Sequence, residues 1–424
     1  MENFQLSELI NLIGGGTPRR SESDYWNGDI PWLSVKDFNN DSRFVDTSEE
    51  SITQLGFEKS STKLLNPGMI IISARGTVGE LAQLKTQMAF NQSCYGIDAN
   101  SEYLENDYLY YLLKIKIREL KSIAHGSVFD TITRKTFENI FVDLPSKIEQ
   151  KKISSILGAL DKKIELNQKM NETLEEIAKT LFKSWFIDFD PVRAKAEGRS
   201  TGLSKEISDL FPDSFEDSEL GEIPMGWSKS FITDIAYKIS DKYKKDEDWS
   251  NEKLIDLSRM PLNSVSLNSY GRGDELSTSV CKFKKYDFLF GSIRPYFYKA
   301  GICPYDGVSN TSVFILRAKK TYDREFIYCY SSSEVTFEKS VQYSDGTKMP
   351  IIKWKDFKEF QFAMPNEDIR KHFSSIINPI VEKIICNIEG QEILSKLRDT
   401  LLPKLISGEL KIPDAENLVE EAGI

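Results

Sequence analysis

At 424 residues, with 28% of them charged and a formal net charge of −10, the chain is too long for one core and suits two domains of about 150 residues plus connectors. The acidic balance excludes indiscriminate binding to polyanions. The lack of a basic leader, or of an apolar run of about 18 residues, predicts neither signal peptide nor membrane span. Five scattered cysteines without a CxxC and only two histidines offer no disulfide framework and no zinc ligand set, which predicts reduced thiols in a cytoplasm.

Residues 1–146 are predicted to form a β-rich domain. Met69-Ile70-Ile71-Ile72 and Phe141-Val142-Asp143-Leu144 are strand-like, Gly14 to Pro18 and Asn66-Pro67-Gly68 punctuate the strands, and Tyr108 to Ile123 has helical spacing. Residues 147–187 read as one spacer helix. Its seam residues Ile153, Leu157, Leu160, Ile164, Asn167, Asn171, Leu174, Ala178, Leu181 and Trp185 alternate steps of four and three, the coiled-coil pattern. Such a rod is about 60 Å long. Residues 188–221 are acidic and contain Pro191, Gly198, Gly202 and Pro212, the composition of a linker.

A second β-rich domain is predicted over 222–366, a net basic stretch with strands at Phe288-Leu289-Phe290 and Ser312 to Leu316. Residues 367–407 form the second spacer helix, and 408–424 a tail. Asn378-Pro379 reads as a helix start, with Gly158 at the matching place in the first copy, so each helix is expected to have a short lead-in, a bend and a longer rod. Pro403 is expected to stop the second rod after Leu402.

The two halves echo each other. Pro145 to Phe182 lines up without a gap on Pro365 to Leu402 at an offset of 220, matching Ser154-Ser155 with Ser374-Ser375 and Asn167 with Asn387. At an offset of 219, Ser73 and Arg75 match Ser292 and Arg294, and Asn91 matches Asn310. The expected fold is therefore α+β: two β-rich domains joined by two long antiparallel coiled-coil helices, with a pseudo-two-fold internal repeat. Asn167 and Asn387 are expected to meet and fix the register of the helix pair, since Asn in an apolar seam needs an amide partner.

Several runs in order resemble the specificity subunit of type I restriction–modification systems, usually called HsdS. They are Gly15 to Pro18, Tyr25 to Trp32, Ser73 to Gly79, Leu181 to Pro191 and Leu401 to Leu410. The resemblance implies that each β-rich domain is a target recognition domain reading one half of a bipartite, asymmetric site in double-stranded DNA. It also implies that the helices set the spacing and dock two methyltransferase subunits, with motor–nuclease subunits joining for cleavage. S-adenosylmethionine would then sit on the methyltransferase partners, and ATP and Mg on the restriction subunit. No Asn-Pro-Pro-aromatic motif, phosphate loop or nuclease carboxylate spacing is present, so catalysis is expected from partners and this chain is expected to be non-catalytic. A fragment of a fused restriction–methylation enzyme, or a coiled-coil scaffold without its own DNA specificity, are the other readings.

Candidate DNA contacts are side chains able to reach base edges or phosphates. In the first domain they are Arg19, Arg20, Lys36, Arg75, Asn91, Gln92, His125 and Ser127. In the second they are Lys242, Lys244, Lys245, Arg272, Lys282, Lys284, Lys285, Arg294, Asn310, Thr347 and Lys348. Arg75 and Arg294 each follow a buried strand, where they either grip guanine or close an internal salt bridge. Asn91 and Asn310 equally suit turns in which the side chain bonds its own backbone.

Overall fold

A computed structural model describes residues 3–40, 42–125, 131–243, 247–276, 280–421 and 423, with backbone alone at 122–125. Two compact units emerge, Met1–Glu165 with Ile393–Ile424, and Leu166–Glu392. The divisions fall inside the two long helices, so each unit holds one β-rich domain and a section of both helices.

In the first unit a five-stranded sheet has the spatial order Ile10–Gly14, Cys94–Ala99, Ile70–Ser73, Leu81–Leu84, Phe44–Val45. A second sheet orders Glu50–Ile52, Trp26–Leu33, Met88–Phe90 and Leu64–Leu65, with a parallel pairing of Trp32 and Ala89. Ile70, Ile71 and Ile72 are buried on both faces, which is why this run is continuously apolar rather than alternating. Behind the larger sheet packs the helix Asn106–His125, through Tyr108, Leu109, Leu112 and Leu113.

The second unit repeats this plan. One sheet orders Ala236–Ile239, Val313–Ala318, Phe288–Gly291 and Ala300–Ile302; the other orders Gly271–Arg272, Lys253–Leu254, Gly307–Asn310 and Val280–Phe283. Leu254 pairs in parallel with Val308, as Trp32 does with Ala89. Where the first unit has one 20-residue helix, the second has two, Arg324–Ser331 and Glu334–Gln342. The break falls at Ser332-Ser333, and the Ser333 hydroxyl accepts from the Thr336 N–H at 3.3 Å as an N-cap.

The long helices are Lys147–Phe186 and Glu367–Ser407. Within the second unit they run antiparallel: Phe186 packs on Phe373 with ring centroids 4.9 Å apart, and Asn171 meets Asn387. In the first unit Asp161 meets Arg398. Every expected seam residue on the first helix is buried or half-buried, and so are the residues that match them on the second at the offset of 220, from Phe373 to Leu405.

Four expectations need correction. The second helix has no break at Asn378-Pro379 and no stop at Pro403; both prolines lie on its exposed side. There the missing N–H and the ring are accommodated by solvent, while Phe373, Ile377, Val381 and Ile384 hold the buried face in register. The helix instead ends at Gly408, whose φ of +75° only glycine adopts freely. Residues 188–221 are more than a linker. Asp190–Ala196 is a helix, Phe215–Ser218 pairs with Gly221–Pro224, and Val192, Ala194 and Phe211 are buried in the unit. The tail likewise contains a helix, Ile412–Glu421, that buries Ala415 and Val419.

The fourth correction concerns the asparagines. Asn387 donates to Asn171 Oδ1 at 2.7 Å, and Asn171 donates to the Ile384 carbonyl at 3.3 Å. The register explains why Asn167 is not that partner. Facing residues in this unit have numbers summing to 558 (171 + 387), whereas equivalent residues differ by 220. Equivalent positions therefore face one another at 169 and 389, two residues beyond the expected pair.

Candidate nucleic-acid interface

The most informative local geometry is the hairpin after the central strand of each larger sheet. In the first unit the Ser73 N–H bonds the Glu80 carbonyl at 2.9 Å, and in the second the Gly291 N–H bonds that of Lys299 at 2.8 Å. Across the next strand, Ser73 pairs with Cys94, and Gly291 pairs with Val313. The structural offset is thus 218 before the loop (291 − 73) and 219 after it (299 − 80). The second unit carries one extra loop residue.

This changes the reading of the arginine pair. Arg75 bridges Thr131, and the structural equivalent of that bridge joins Ile293 to Ile351. Arg294 therefore occupies the place of Gly76, not of Arg75. The backbone agrees: Gly76 has φ +77° and Arg294 φ +51°, both left-handed. The identity match at 219 arose because the inserted residue lies just beyond Arg294. A non-glycine residue held in that region is strained, and such strain commonly marks a functional position. Arg75 and Arg294 are both exposed, and neither pairs with a carboxylate among the described residues, so the internal salt-bridge reading fails for both.

In the second unit, expected site residues come together here. The Arg294 N–H bonds the Pro350 carbonyl at 2.7 Å, and Asp345 bridges Ile351. That ties the Arg294 loop to the loop carrying exposed Thr347 and Lys348, which turns at Gly346 with φ +100°. Tyr296 and Phe297 stand beside Arg294 as an exposed T-shaped pair with centroids 4.7 Å apart. Cations, a hydroxyl and aromatic faces on one rim suit a nucleic-acid surface. The corresponding loop of the first unit includes Ser127, which lies outside the described residues, as do Lys244, Lys245 and the side chain of His125.

Other candidates are occupied internally. Arg20 grips both Glu50 oxygens and covers the Trp26 ring at 4.0 Å. This hydrogen bond holds the Glu50 carboxyl below its ordinary range. Arg272 pairs with Asp274 at 2.9 Å, Lys282 with Glu247 at 3.2 Å and Lys285 with Glu389 at 2.8 Å. Asn91 Oδ1 accepts from the Ser93 N–H and Asn310 Oδ1 from the Ser312 N–H, both at 3.0 Å. These asparagines build matching turns, and their side-chain oxygens are committed to them. Gln92 accepts from the Thr17 hydroxyl, beside exposed Arg19. Lys36, Lys242 and Lys284 are exposed without an ion pair among the described residues.

Sequence reasoning missed the buried charges. Asp161 and Arg398 pair at 2.8 Å inside the first unit, and the Tyr111 hydroxyl also donates to Asp161. Arg43 donates to Tyr111 at 3.0 Å and to Asp107 at 2.6 Å. In the second unit Glu175 is buried on the long helix. A seam pattern written in apolar residues gives no signal for these positions, although Arg398 matches the seam residue Ala178 at the offset of 220 and is charged where that one is apolar.

Comparison with known proteins agrees with this architecture. Residues 1–176 match the type I restriction modification DNA specificity domain. The chain is 29% identical to the type I restriction enzyme MjaIX specificity subunit of Methanocaldococcus jannaschii, over 97% of this chain and 93% of that protein. It is 26% identical to the HindI specificity subunit of Haemophilus influenzae, over 74% and 79%. The fold is shared with a type I restriction–modification S subunit from M. genitalium, at a TM-score of 0.52 and 15% identity, covering 95% of both chains. Residues 1–176 thus match that specificity domain, and over nearly its whole length the chain is similar to a type I restriction enzyme specificity subunit.

Proposed function

We propose that this protein is the non-catalytic DNA specificity subunit of a type I restriction–modification complex. Each β-rich domain reads one half of a bipartite site, and the paired helices space the two. Two methyltransferase subunits carrying S-adenosylmethionine, and motor–nuclease subunits using ATP and Mg, supply the chemistry. The observation that carries this reading is that two units built on a common sheet plan differ in an exposed loop, which in the second unit joins cations to aromatic rings. A shared frame with divergent loops suits two readers of unlike sequences. Among the described residues no helix is long and apolar enough to cross a membrane.

Adenine methylation mapped genome-wide, with and without this chain, tests the proposal. One bipartite motif should disappear on deletion. Its persistence would overturn the reading, and methylation by the purified chain alone would favour a fused enzyme instead. Equal affinity for all duplexes would make it a scaffold.

A further inference from the structure

We propose that Glu175 is a positioning residue that hooks the second recognition domain onto the long helices and so sets how strictly the protein discriminates spacer length. The inference rests on the function proposed above. Glu175 is 2% exposed and projects from the C-terminal third of the first long helix. One carboxylate oxygen accepts from the Ser264 hydroxyl at 3.0 Å and the Ser266 hydroxyl at 2.6 Å, and the other from the Val265 N–H at 3.1 Å. Three successive residues of one segment thus converge on a single side chain.

That segment is part of the reading domain's frame. Ser266 pairs in parallel with Ile302, on the edge of the larger sheet, and the Ile302 N–H bonds the Val265 carbonyl at 3.3 Å. Asn263, just before it, is turned sharply with φ +56°. The route from helix to sheet therefore runs through directional bonds that fix an angle as well as a distance. An apolar contact would bury the same surface but would tolerate sliding. A carboxylate held by neutral donors is an expensive way to gain stability alone, since desolvation opposes it.

The first unit makes its joint at the same sheet edge with different chemistry. Phe44 pairs in parallel with Gln83, the equivalent of Ile302 (83 + 219), and the adjacent Arg43 reaches Asp161 on the helix through Tyr111. Glu175 has Ser395 as its repeat equivalent (175 + 220), a half-buried side chain. Two unrelated polar joints at one topological place indicate that the joint itself is what both domains require.

The test expresses the chain with its methyltransferase partner in cells carrying the target motif with the native spacer and with spacers one base pair shorter or longer. Methylation is read by single-molecule sequencing. For Glu175→Ala, methylation of the off-length sites relative to the native one should rise about tenfold, the scale of one lost buried bond network, with base preference unchanged in both half-sites. Should this variant fail to fold, the double variant Ser264→Ala/Ser266→Ala, which keeps the Val265 bond, decides with a smaller rise. A uniform fall at all spacer lengths, or a ratio equal to that of the unaltered protein, overturns the proposal. If the unaltered protein directs no bipartite methylation, the functional reading itself fails.

Discussion

The two units solve one packing problem in opposite ways. Asp161 and Arg398 form a buried ion pair in the first; their repeat equivalents in the second are Val381 (161 + 220) and Ala178 (398 − 220), both fully buried. Around them the first unit packs Leu394, Leu401, Leu402 and Leu405, whereas the second packs Phe182, Trp185, Phe186 and Phe373. Large rings fill the second seam around that place, without a charge. The leucine-lined seam admits a charged pair that is satisfied by Tyr111 and fixes its register by direction. Equal folds do not imply equal forces.

The largest way to break this comparison is to remove one charge. Asp161→Ala leaves Arg398 buried without its seam partner and should destabilise the first unit by about 3–5 kcal/mol, seen as faster hydrogen exchange confined to that unit. Installing the other unit's residues, Asp161→Val with Arg398→Ala, should recover part of the loss. The Tyr111 hydroxyl then still lacks its acceptor. If the single and double variants are equally unstable, the apolar solution is not transferable.

A second experiment addresses the loops. Arg294→Gly should leave the melting temperature unchanged or raised, because glycine accepts φ +51° freely. It should weaken methylation at one half-site by about 1–3 kcal/mol, or roughly ten- to a hundredfold. Arg75→Gly, at a position without positive φ, should lower stability as well. Equal stability changes in the two would dissolve the structural distinction between these arginines.

Smaller effects are expected in the seam. Asn387→Leu removes the donor to Asn171 and should cost about 1–2 kcal/mol in chemical denaturation. Asn171→Leu with Asn387→Leu should cost less, since no unpaired amide remains.

The smallest effect is a pH slope. Burial raises the Glu175 carboxyl above its ordinary value of 4.5, opposed by its three hydrogen bonds and by Lys179; Tyr328, from the neighbouring helix Arg324–Ser331, also faces it. The folded state then holds the proton more tightly than the unfolded one. Stability from this group is fullest below the ordinary carboxylate value and declines as pH rises toward the raised one, by at most about 1.4 kcal/mol per pH unit. Glu175→Gln should flatten that slope, and an unchanged pH profile would show that the group titrates normally.

Much of the architecture is legible in the sequence because it is periodic. The seam positions from Ile153 to Trp185, and the repeat at an offset of 220, report burial directly. The continuous second helix was less legible, since proline is a local signal and Phe373 to Ile384 outweigh it through tertiary packing. Site residues are harder still. Arg20 and Lys285 look like free cations in one dimension, and only folding brings Glu50 and Glu389 to them. Identity at a single offset aligned Arg75 with Arg294, but hydrogen bonds align Arg294 with Gly76.

The extra residue between Gly291 and Lys299 has an evolutionary reading. The strand pairings on either side are the same in both units, so the insertion was absorbed wholly by the turn, between the left-handed residues Arg294 and Tyr298. A duplicated gene whose loops can change length without shifting a strand can acquire new targets through small insertions and deletions. It need not pass through an unfolded intermediate sequence. In such a protein, novelty is separated from the risk of misfolding by two residues of backbone geometry.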